Sequence, residues 1–445
     1  MKRLVWMLVL AGMVRSLSAE SNWPQYRGPQ SSGVNDSVPL PVVWNLTTGE
    51  NIRWKTAIPG LGHASPIAWE NRIYVATAVS PSSASLKVGL YGNIDSVEES
   101  DPQEWRLICV DGKTGEILWN TLAFKKIPKV KRHTKATHCN STPATDGKRI
   151  VAILGSEGLF CFSMDGVLLW KKELGDMNSG YFKVREAQWG FGSSPVLHDS
   201  RIIVQSDVQD DSFVAVFDAE SGKELWRTSR VDVPTWSTPL VADTPTGKQI
   251  ILNGWKHSGG YDYFSGKEIW KLKGGGDIPV PSPILVGNCV ILTSAHGRYS
   301  PIRSVRLTAR GDISPRTPYV SNEQIVWANR GGNYMQTPIF VNSRIYACRD
   351  SGILSCFDFK NGKRLFEERV AHLPRGYTAS PVSDGRHLYI CSEQGEIIVV
   401  PATDTFSVSA VNELNEICMA TPAISNGLLL FRTRNSLIAV GSKPF

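Results

Sequence analysis

Short apolar runs recur along the whole chain, each at a fixed distance from a Ser-Pro or Thr-Pro pair. The pairs are Ser65-Pro66, Thr142-Pro143, Ser194-Pro195, Thr238-Pro239, Ser282-Pro283, Thr337-Pro338, Ser380-Pro381 and Thr421-Pro422. Except in the fourth repeat, the run opens seven residues after the proline, at Ile73, Ile150, Ile202, Val290, Ile345, Leu388 and Leu429. Turn-forming pairs such as Asp146-Gly147 lie between proline and run. The pattern predicts a strand, a tight turn and a second strand in each repeat.

Most repeats end in a second element: an aspartate, a glycine four residues later and a large aromatic residue four residues further on. The sets are Asp111, Gly115 and Trp119; Asp218, Gly222 and Trp226; Asp262, Gly266 and Trp270; Asp358, Gly362 and Phe366; the second repeat keeps Gly166 and Trp170. Aspartate can bond to the turn backbone and glycine can adopt positive φ. The element predicts a turn and a strand whose ring packs between neighbouring units. The fifth and seventh repeats lack it in clear form, although Trp327 is placed to stand in for the ring of the fifth.

Each repeat therefore predicts four short antiparallel strands in about 40–55 residues, which is typical of a propeller blade. After Pro422 the chain supplies only three strands, while residues 48–54 form a lone closing element before the first blade. Joining these two ends completes a blade and removes an open sheet edge. We predict an all-β fold: an eight-bladed β-propeller with four antiparallel strands per blade, closed by an N-terminal strand that completes the C-terminal blade.

Two charged stretches interrupt the regular spacing near the first blade. An insertion over about residues 80–104 contains the acidic run 95–101, and the basic run 125–133 follows. Opposite charges of this kind could pair. We expect two solvated loops, with a docking surface as the alternative.

The N-terminus has the pattern of a secretory signal peptide. Lys2 and Arg3 precede an apolar run over residues 4–14, and small residues precede a cut after Ala19. The run is shorter than the roughly 20 residues that span a bilayer, although a retained anchor is the alternative. We predict a signal peptide over residues 1–19, an extended segment over 20–43 and the propeller over 44–445. The mature chain would be secreted or periplasmic after cleavage near Ala19, with no transmembrane segment.

Charge and cysteine usage narrow the range of partners. The net charge of +7 falls to 45 − 41 = +4 without Lys2, Arg3 and Arg15 of the predicted signal peptide, which is too weak to indicate nucleic acid or a membrane surface. The 8 cysteines have no metal-ligand spacing, so no metal site is predicted. We expect them to be small buried residues on strands, with a Cys348–Cys356 disulfide as the alternative. We expect a monomer whose partner is an envelope protein or a small ligand.

In a propeller, the loops that lead into the innermost strands converge around the axis on one face. Here these loops precede each Ser/Thr-Pro pair and are rich in rings and hydrogen-bonding groups. The candidate ligand- or cofactor-binding residues are His63, His138, Asn140, Trp189, Trp236, Tyr334, Gln336, Arg375 and Tyr377. Such a set suits a flat or cyclic ligand or a peptide segment. The alternative is that these side chains fill the channel and hold one another.

The Asp-to-Trp element between Ser/Thr-Pro strands resembles the pyrroloquinoline-quinone-like (PQQ-like) propeller repeat over about residues 44–440. Residues 22–29 look like the opening segment of secreted bacterial proteins of this class. The resemblance implies one of two roles. Quinoprotein alcohol and glucose dehydrogenases use the fold to hold PQQ beside calcium, several with a vicinal cysteine pair that this sequence lacks. The propeller subunit of the outer-membrane barrel-assembly machinery is a lipid-anchored binding scaffold.

No nucleophile motif, phosphate loop or acid–base pair is assignable by spacing, so catalytic residues are not predicted. The leading prediction is a secreted or periplasmic propeller that acts as a binding or scaffold module for a protein or small ligand at the axial mouth. Enzymatic activity is not favoured. The alternative is a PQQ-dependent dehydrogenase of alcohols or sugars with a divergent site, for which PQQ with calcium would be the cofactor.

Overall fold

A computed structural model of the chain describes residues 21–82, 85–90 and 93–442. Eight antiparallel sheets follow one another along the chain as blades, so the prediction of an all-β, eight-bladed propeller with four strands per blade is confirmed. Within the described ranges, Pro29–Ser31 forms a 3-10 turn, and no helix is long and apolar enough to cross a membrane. The signal peptide predicted over residues 1–19 lies outside the described residues, and the domain boundaries stay predictions.

The strands of each blade run in order from the innermost to the outermost, apart from three short additions and one strand donated from the N-terminus. The first strands are β1 (Ile52–Ala57), β2 (Ile67–Trp69), β3 (Arg72–Val79), β4 (Ser96–Val97), β5 (Gln103–Asp111), β6 (Ile117–Lys126), β7 (Arg132–His133), β8 (Ala144–Thr145), β9 (Arg149–Ile153), β10 (Leu159–Ser163), β11 (Leu168–Lys172), β12 (Val196–His198), β13 (Arg201–Ser206), β14 (Phe213–Asp218), β15 (Glu224–Ser229), β16 (Leu240–Thr244), β17 (Gly247–Leu252), β18 (Ser258–Asp262) and β19 (Glu268–Leu272). The remaining strands are β20 (Ile284–Val286), β21 (Cys289–Thr293), β22 (Pro301–Arg306), β23 (Gly311–Asp312), β24 (Ile325–Arg330), β25 (Ile339–Val341), β26 (Arg344–Cys348), β27 (Ile353–Asp358), β28 (Arg364–Arg369), β29 (Val382–Ser383), β30 (His387–Cys391), β31 (Glu396–Pro401), β32 (Ala410–Glu413), β33 (Ala423–Ser425), β34 (Leu428–Arg432) and β35 (Ser436–Val440).

The blades are numbered here in chain order. They are β2-β3-β5-β6, β8 to β11, β12 to β15, β16 to β19, β20-β21-β22-β24, β25 to β28, β29 to β32, and β33 to β35 with β1. The short strands β4 and β7 pair with each other, and β23 joins the outer edge of blade 4.

Blade 8 closes the ring as predicted. Strand β1 pairs antiparallel with β35, with Ile52 opposite Val440 and Trp54 opposite Ala439. The outer strand of this blade therefore comes from the N-terminal part of the chain. The two ends of the ring are held together by one continuous sheet.

Neighbouring blades are joined by the aromatic ring of one blade and the turn glycine of the next. Gly266 has φ +73°, and a Cβ placed on it would lie 2.4 Å from the Trp226 ring of the preceding blade. Thr228 and Trp226 also donate hydrogen bonds to the carbonyls of Gly266 and Tyr263. The same ring-on-glycine contact occurs at Trp54 and Gly115, Trp119 and Gly166, Trp170 and Gly222, and Trp327 and Gly362. Trp327 thus takes the aromatic position in blade 5, as predicted.

Substitution of Gly266, with Gly49 as the control, separates the cost of backbone strain from the cost of losing the inter-blade contact. Gly49 has a matched φ of +76° with nothing within 4 Å of a built Cβ. We expect Gly49→Ala to lower the free energy of unfolding by about 1–2 kcal/mol through backbone strain alone. Gly266→Ala should cost about 1–3 kcal/mol more, because the methyl group overpacks the Trp226 ring. Chemical denaturation of both variants measures the difference, and equal losses would contradict the packing role.

The serine or threonine of each Ser/Thr-Pro pair links its blade to the next. The hydroxyl accepts a hydrogen bond from the backbone N–H of the equivalent residue in the preceding blade. Seven such bonds, 2.9–3.1 Å long, connect Ser65, Thr142, Ser194, Thr238, Ser282, Thr337, Ser380 and Thr421 in chain order. This bonding explains why a hydroxyl residue precedes each proline, a regularity whose cause the sequence did not reveal.

The segment before β1 crosses the propeller axis on the face opposite the mouth. Trp23 pairs with Ala68 of blade 1, and the Arg27 guanidinium donates to the carbonyls of Pro381 and Pro338 in blades 7 and 6. Arg27 is fully buried, and this desolvation lowers its pKa to about 10. These contacts tie the segment to blade 1 and to blades 6 and 7, so the segment lies across that end of the axial channel.

The insertion of blade 1 forms a strap, defined here as residues 85–90 and 93–102. Its strand β4 pairs with β7, placing Val97 opposite Arg132. Glu99 forms an ion pair of 2.6 Å with Arg132 and a hydrogen bond of 2.6 Å with His138 Nε2. Burial opposes ionisation of Glu99, but these partners outweigh it and lower its pKa to about 2. The expectation of two solvated loops is therefore wrong, because the acidic and basic stretches pair through both backbone and side chains.

The far end of the strap is anchored to blade 7. The Gly89 N–H donates to Glu393 Oε2 at 2.7 Å, and the Lys135 ammonium lies 2.8 Å from Glu393 Oε1. Lys135 also donates to the Gly89 carbonyl. Since Glu393 is fully buried, one carboxylate holds the strap and the basic stretch together.

All eight cysteines are buried and free. Cys348 lies opposite Leu354, and Cys356 lies opposite Tyr346. The strand register separates the two sulfurs, so the alternative of a Cys348–Cys356 disulfide is not realised.

Candidate functional site

A cavity of about 880 Å³ lies around the propeller axis at the mouth. It is lined by the loops that precede the innermost strands and by the loops that join the second and third strands of several blades. The strap contributes Asn93 and Ile94, and the N-terminal segment contributes Tyr26. The mouth residues therefore surround a space large enough for a ligand and do not fill the channel.

Five of the candidate residues line this cavity: His63, Asn140, Trp189, Trp236 and Tyr334. Asn140 has its amide oxygen engaged by the Thr137 N–H and hydroxyl. His63 shares a hydrogen bond of 2.9 Å with the Lys135 carbonyl. Burial lowers the His63 pKa to about 4, so this ring is neutral at physiological pH. The binding role of all five stays a prediction.

His138 and Gln336 lie outside the cavity lining. His138 belongs to a smaller space of about 210 Å³ at the base of the strap, where its Nε2 is 2.6 Å from Glu99. Gln336 is fully buried and donates to the Ala379 carbonyl at 2.7 Å. Both side chains are occupied in holding neighbouring segments together.

Arg375 and Tyr377 also lie outside the lining. Arg375 donates to both carboxylate oxygens of Glu396, at 2.8 and 3.0 Å. It is thus committed to a partner within its own blade. Tyr377 is buried against Gly352, where a Cβ would lie 2.6 Å from the ring. Its ring packs between strands instead of facing the mouth.

One wall of the cavity is an aromatic arc, defined here as Trp236, Trp189, Tyr181, His296 and Tyr334. Trp236 and Trp189 have ring centroids 5.8 Å apart, and Trp189 stacks on Tyr181 at 5.8 Å with an angle of 8°. Tyr181 meets His296 edge-on at 6.2 Å, and His296 stacks on Tyr334 at 5.4 Å. The strap supports the arc because Trp189 Nε1 donates to the Ile94 carbonyl at 3.1 Å. The result is a continuous, largely apolar wall with ring faces and edges exposed to the cavity.

Charged side chains form other parts of the lining. Lys135, Arg330, Arg349 and Asp350 all contribute to it. Arg349 pairs with Glu367, whereas Arg330 makes no ion pair within the described residues and lies 4.4 Å from the Tyr319 ring centroid. Burial raises the pKa of Asp350, and the positive charge of Lys135 offsets only part of this increase. Since Lys135 pairs with Glu393, Arg330 is the lining cation without a carboxylate partner in the described part of the chain.

A histidine–aspartate pair at this wall was not among the predicted site residues. His296 Nδ1 lies 2.5 Å from Asp277 Oδ1, and the side chains are 40% and 10% exposed. His296 follows β21, in a loop joining the second and third strands of blade 5. Asp277 precedes the innermost strand of the same blade. Because antiparallel strands return to the same face, both loops reach the mouth.

The donor set does not fit a calcium-bound quinone. Calcium prefers six to eight oxygen ligands, several of them carboxylates. Among the described residues, no three or more His, Cys, Asp or Glu are grouped so as to hold a metal ion. Asp277 is engaged by His296, and the Asn140 oxygen is engaged by Thr137. Asp350 remains as a carboxylate in the lining, flanked by Arg349.

Fold and cavity together define a PQQ-like β-propeller with a ligand-sized axial site. The family model described as outer membrane protein assembly factor BamB matches residues 34–184, 103–277 and 161–405. The chain therefore belongs to this family.

The individual relatives have names that indicate different functions. The BamB of Burkholderia pseudomallei is 27% identical over 201 residues, 43% of this chain and 45% of that protein. The tetrathionate hydrolase of Acidithiobacillus ferrooxidans is 23% identical over 265 residues, 56% of this chain and 45% of the hydrolase. The matches thus span less than half the length of these curated relatives.

Solved structures show the same fold at low identity. BamB from Moraxella catarrhalis has a TM-score of 0.56 and 13% identity, covering 82% of this chain and 100% of that one. The quinohemoprotein alcohol dehydrogenase from Comamonas testosteroni has a TM-score of 0.60 and 11% identity, covering 97% of this chain and 82% of that one. The fold is thus shared by proteins with different functions.

Proposed function

We propose that this protein is a cell-envelope propeller that binds a small, planar organic anion in its axial cavity. The observation that carries the proposal is the aromatic arc in the same cavity as Arg330, a cation without an ion-pair partner in the described residues. Ring faces bind planar groups by stacking, and a guanidinium binds carboxylates in a forked geometry. A volume of about 880 Å³ lies within the range of small-molecule sites. The predicted signal peptide and the family description support the envelope location.

Binding of matched dicarboxylates tests this proposal. We expect naphthalene-2,6-dicarboxylate to bind with measurable heat by titration calorimetry, and cyclohexane-1,4-dicarboxylate to bind much more weakly because it cannot stack. Trp236→Leu should weaken binding of the planar probe about tenfold, which corresponds to about 1.4 kcal/mol. Arg330→Gln should weaken it by a similar factor.

Phe264→Ala is the matched control for these variants. Phe264 is 62% exposed and lies on a turn outside the cavity lining, so its loss should leave affinity unchanged. Equal binding of the planar and saturated probes, or full affinity in both cavity variants, would contradict the proposal.

PQQ itself is a planar tricarboxylate and belongs in the same titration. Binding of PQQ with equal affinity with and without calcium would agree with the cationic, metal-poor lining. The alternative of a quinone-dependent dehydrogenase instead requires dye reduction with an alcohol or sugar after addition of PQQ and calcium.

A protein scaffold is the second candidate function, and family membership favours it. The outer strands of blades 1 and 2 also expose apolar side chains, including Leu118 and Leu122 on β6 and Leu168 and Leu169 on β11. Exposed apolar patches are typical of interaction sites. Capture of the same envelope protein by the wild type and loss of that capture in a Leu118→Ser, Leu169→Ser variant would support this role.

A further inference from the structure

The His296–Asp277 pair has the geometry of an oriented acid–base group. Asp277 holds His296 Nδ1 at 2.5 Å, which leaves Nε2 as the nitrogen available to the cavity. Within the described residues Nε2 has no hydrogen-bond partner. A carboxylate that binds one ring nitrogen fixes the tautomer and orientation of the other, so that it can accept a proton.

The backbone around the pair is strained and tightly fitted. His296 has φ +75°, a left-handed conformation that is costly for a residue with a Cβ. Its carbonyl accepts the Asp277 N–H at 3.3 Å. A Cβ on Gly297 would lie 3.0 Å from three atoms of the Asp277 carboxylate. Strain of this kind persists where the surrounding structure enforces it, and it is concentrated at functional sites.

The ring is also held from both sides. Tyr334 stacks on His296, and Tyr181 meets it edge-on. Lys183 lies 3.7 Å from Asp277 Oδ2. Tyr334, Tyr181 and Lys183 are the titratable groups that contact the pair among the residues that the structure describes. These contacts fix the imidazole plane while leaving its side chain 40% exposed.

We propose that His296 is a general base of the axial cavity, that Asp277 is its positioning residue, and that the substrate is an ester of an aromatic hydroxy acid. This inference rests on the proposed binding of planar anions, because the arc would hold the aryl ring and Arg330 the carboxylate. Water is assigned as the nucleophile. The cysteines are buried, and four of the lining hydroxyls accept inter-blade hydrogen bonds.

The step balances without a further reactant. Nε2 takes a proton from water as the water oxygen bonds to the ester carbonyl carbon, and the carbonyl electron pair moves onto its oxygen. The adduct collapses, the bond from the acyl carbon to the aryl oxygen breaks, and the imidazolium returns its proton to the phenolate. The products are a carboxylic acid and the free hydroxyaryl carboxylate.

Hydrolysis of 4-acetoxybenzoate and 6-acetoxy-2-naphthoate tests the proposal, with phenol release followed by absorbance. We expect His296→Gln to lower kcat about 100-fold with little change in KM, the range typical of a lost general base. His372→Gln removes an exposed histidine outside the cavity and should retain wild-type rates. Ser300 lines the cavity, so loss of all hydrolysis in Ser300→Ala would contradict water as the nucleophile.

Asp277→Asn tests the positioning role. The amide can donate to Nδ1 and so place the ring proton on Nε2, which then cannot accept a proton from water, and kcat should fall at least about tenfold with little change in KM. Asp277→Glu keeps a carboxylate and should recover part of this loss, whereas equal rates in the two variants would contradict the positioning role.

Two results would overturn the inference: no hydrolysis above the buffer rate, or His296→Gln with wild-type activity. Binding of naphthalene-2,6-dicarboxylate to the same preparation separates the two proposals. If the dicarboxylate binds and neither ester is hydrolysed, the general-base role fails and ligand binding stands. If the dicarboxylate does not bind, the proposed function itself fails.

Discussion

Trp54→Ala should lower the free energy of unfolding by about 3–5 kcal/mol, the range for removing a buried tryptophan. Trp54 is 8% exposed and sits on β1, the strand that closes blade 8. Its ring packs on Gly115 of blade 1, and its Nε1 donates to the Gly112 carbonyl at 2.9 Å. The substitution therefore weakens the contact between the closing strand and blade 1. Chemical denaturation followed by circular dichroism measures the loss.

Trp54→Phe separates packing from the hydrogen bond. Phenylalanine keeps most of the ring contact, so we expect a loss of about 1–3 kcal/mol, mainly from the unsatisfied Gly112 carbonyl. A Trp54→Ala variant as stable as the wild type would show that ring closure does not depend on this contact.

Glu393→Ala should cost a similar amount, about 3–5 kcal/mol, because it leaves a buried ammonium without its carboxylate. Lys135 and Glu393 are 6% and 0% exposed. Burial lowers the pKa of Lys135, and Glu393 opposes that shift. The variant also removes the acceptor for the Gly89 N–H, so amide hydrogen exchange across the strap should accelerate.

A double-mutant cycle isolates the ion pair. Lys135→Met combined with Glu393→Ala should recover part of the stability lost in Glu393→Ala, because no unpaired charge remains. Exchange in the strap should stay fast in the double variant, since the Gly89 contact is still missing. If the double variant loses as much stability as the Lys135→Met and Glu393→Ala variants lose together, the ion pair does not anchor the strap.

The closed ring of eight blades was predictable from the sequence because the turns and strands that form it are specified by local residues. Each turn from an aspartate to a glycine fixes its own conformation, and the leftover element around Trp54 could pair only with the incomplete blade after Pro422. The inter-blade role of the hydroxyl residues was not predictable, since it depends on where successive innermost strands meet.

The site was only partly predictable, for two physical reasons. The predicted site comprised the loops before the innermost strands, but His296 and Asp350 lie in loops between second and third strands, which emerge on the same face. Position also does not determine orientation. Gln336 and Tyr377 stand beside the predicted mouth but point into the packing between strands.

The strap shows a stronger limit on what can be predicted from the sequence. Lys135 and Glu393 are 258 residues apart, and no local pattern indicates that these charges meet. The topology alone, however, places the insertion after β3 on the mouth face, so its position over the cavity was available from the sequence.

The crossing of the axis by the N-terminal segment has a consequence for biosynthesis. Arg27 and Asn35 bind carbonyls of Pro381 and Ile424, contacts separated by 354 and 389 residues. These partners emerge late during synthesis, so the early segment must wait with Trp44, which packs on Tyr389 and Phe431, uncovered. Contacts of such long range slow folding and expose apolar surface to aggregation. Newly made chains should therefore depend on holding chaperones until the final blade is complete.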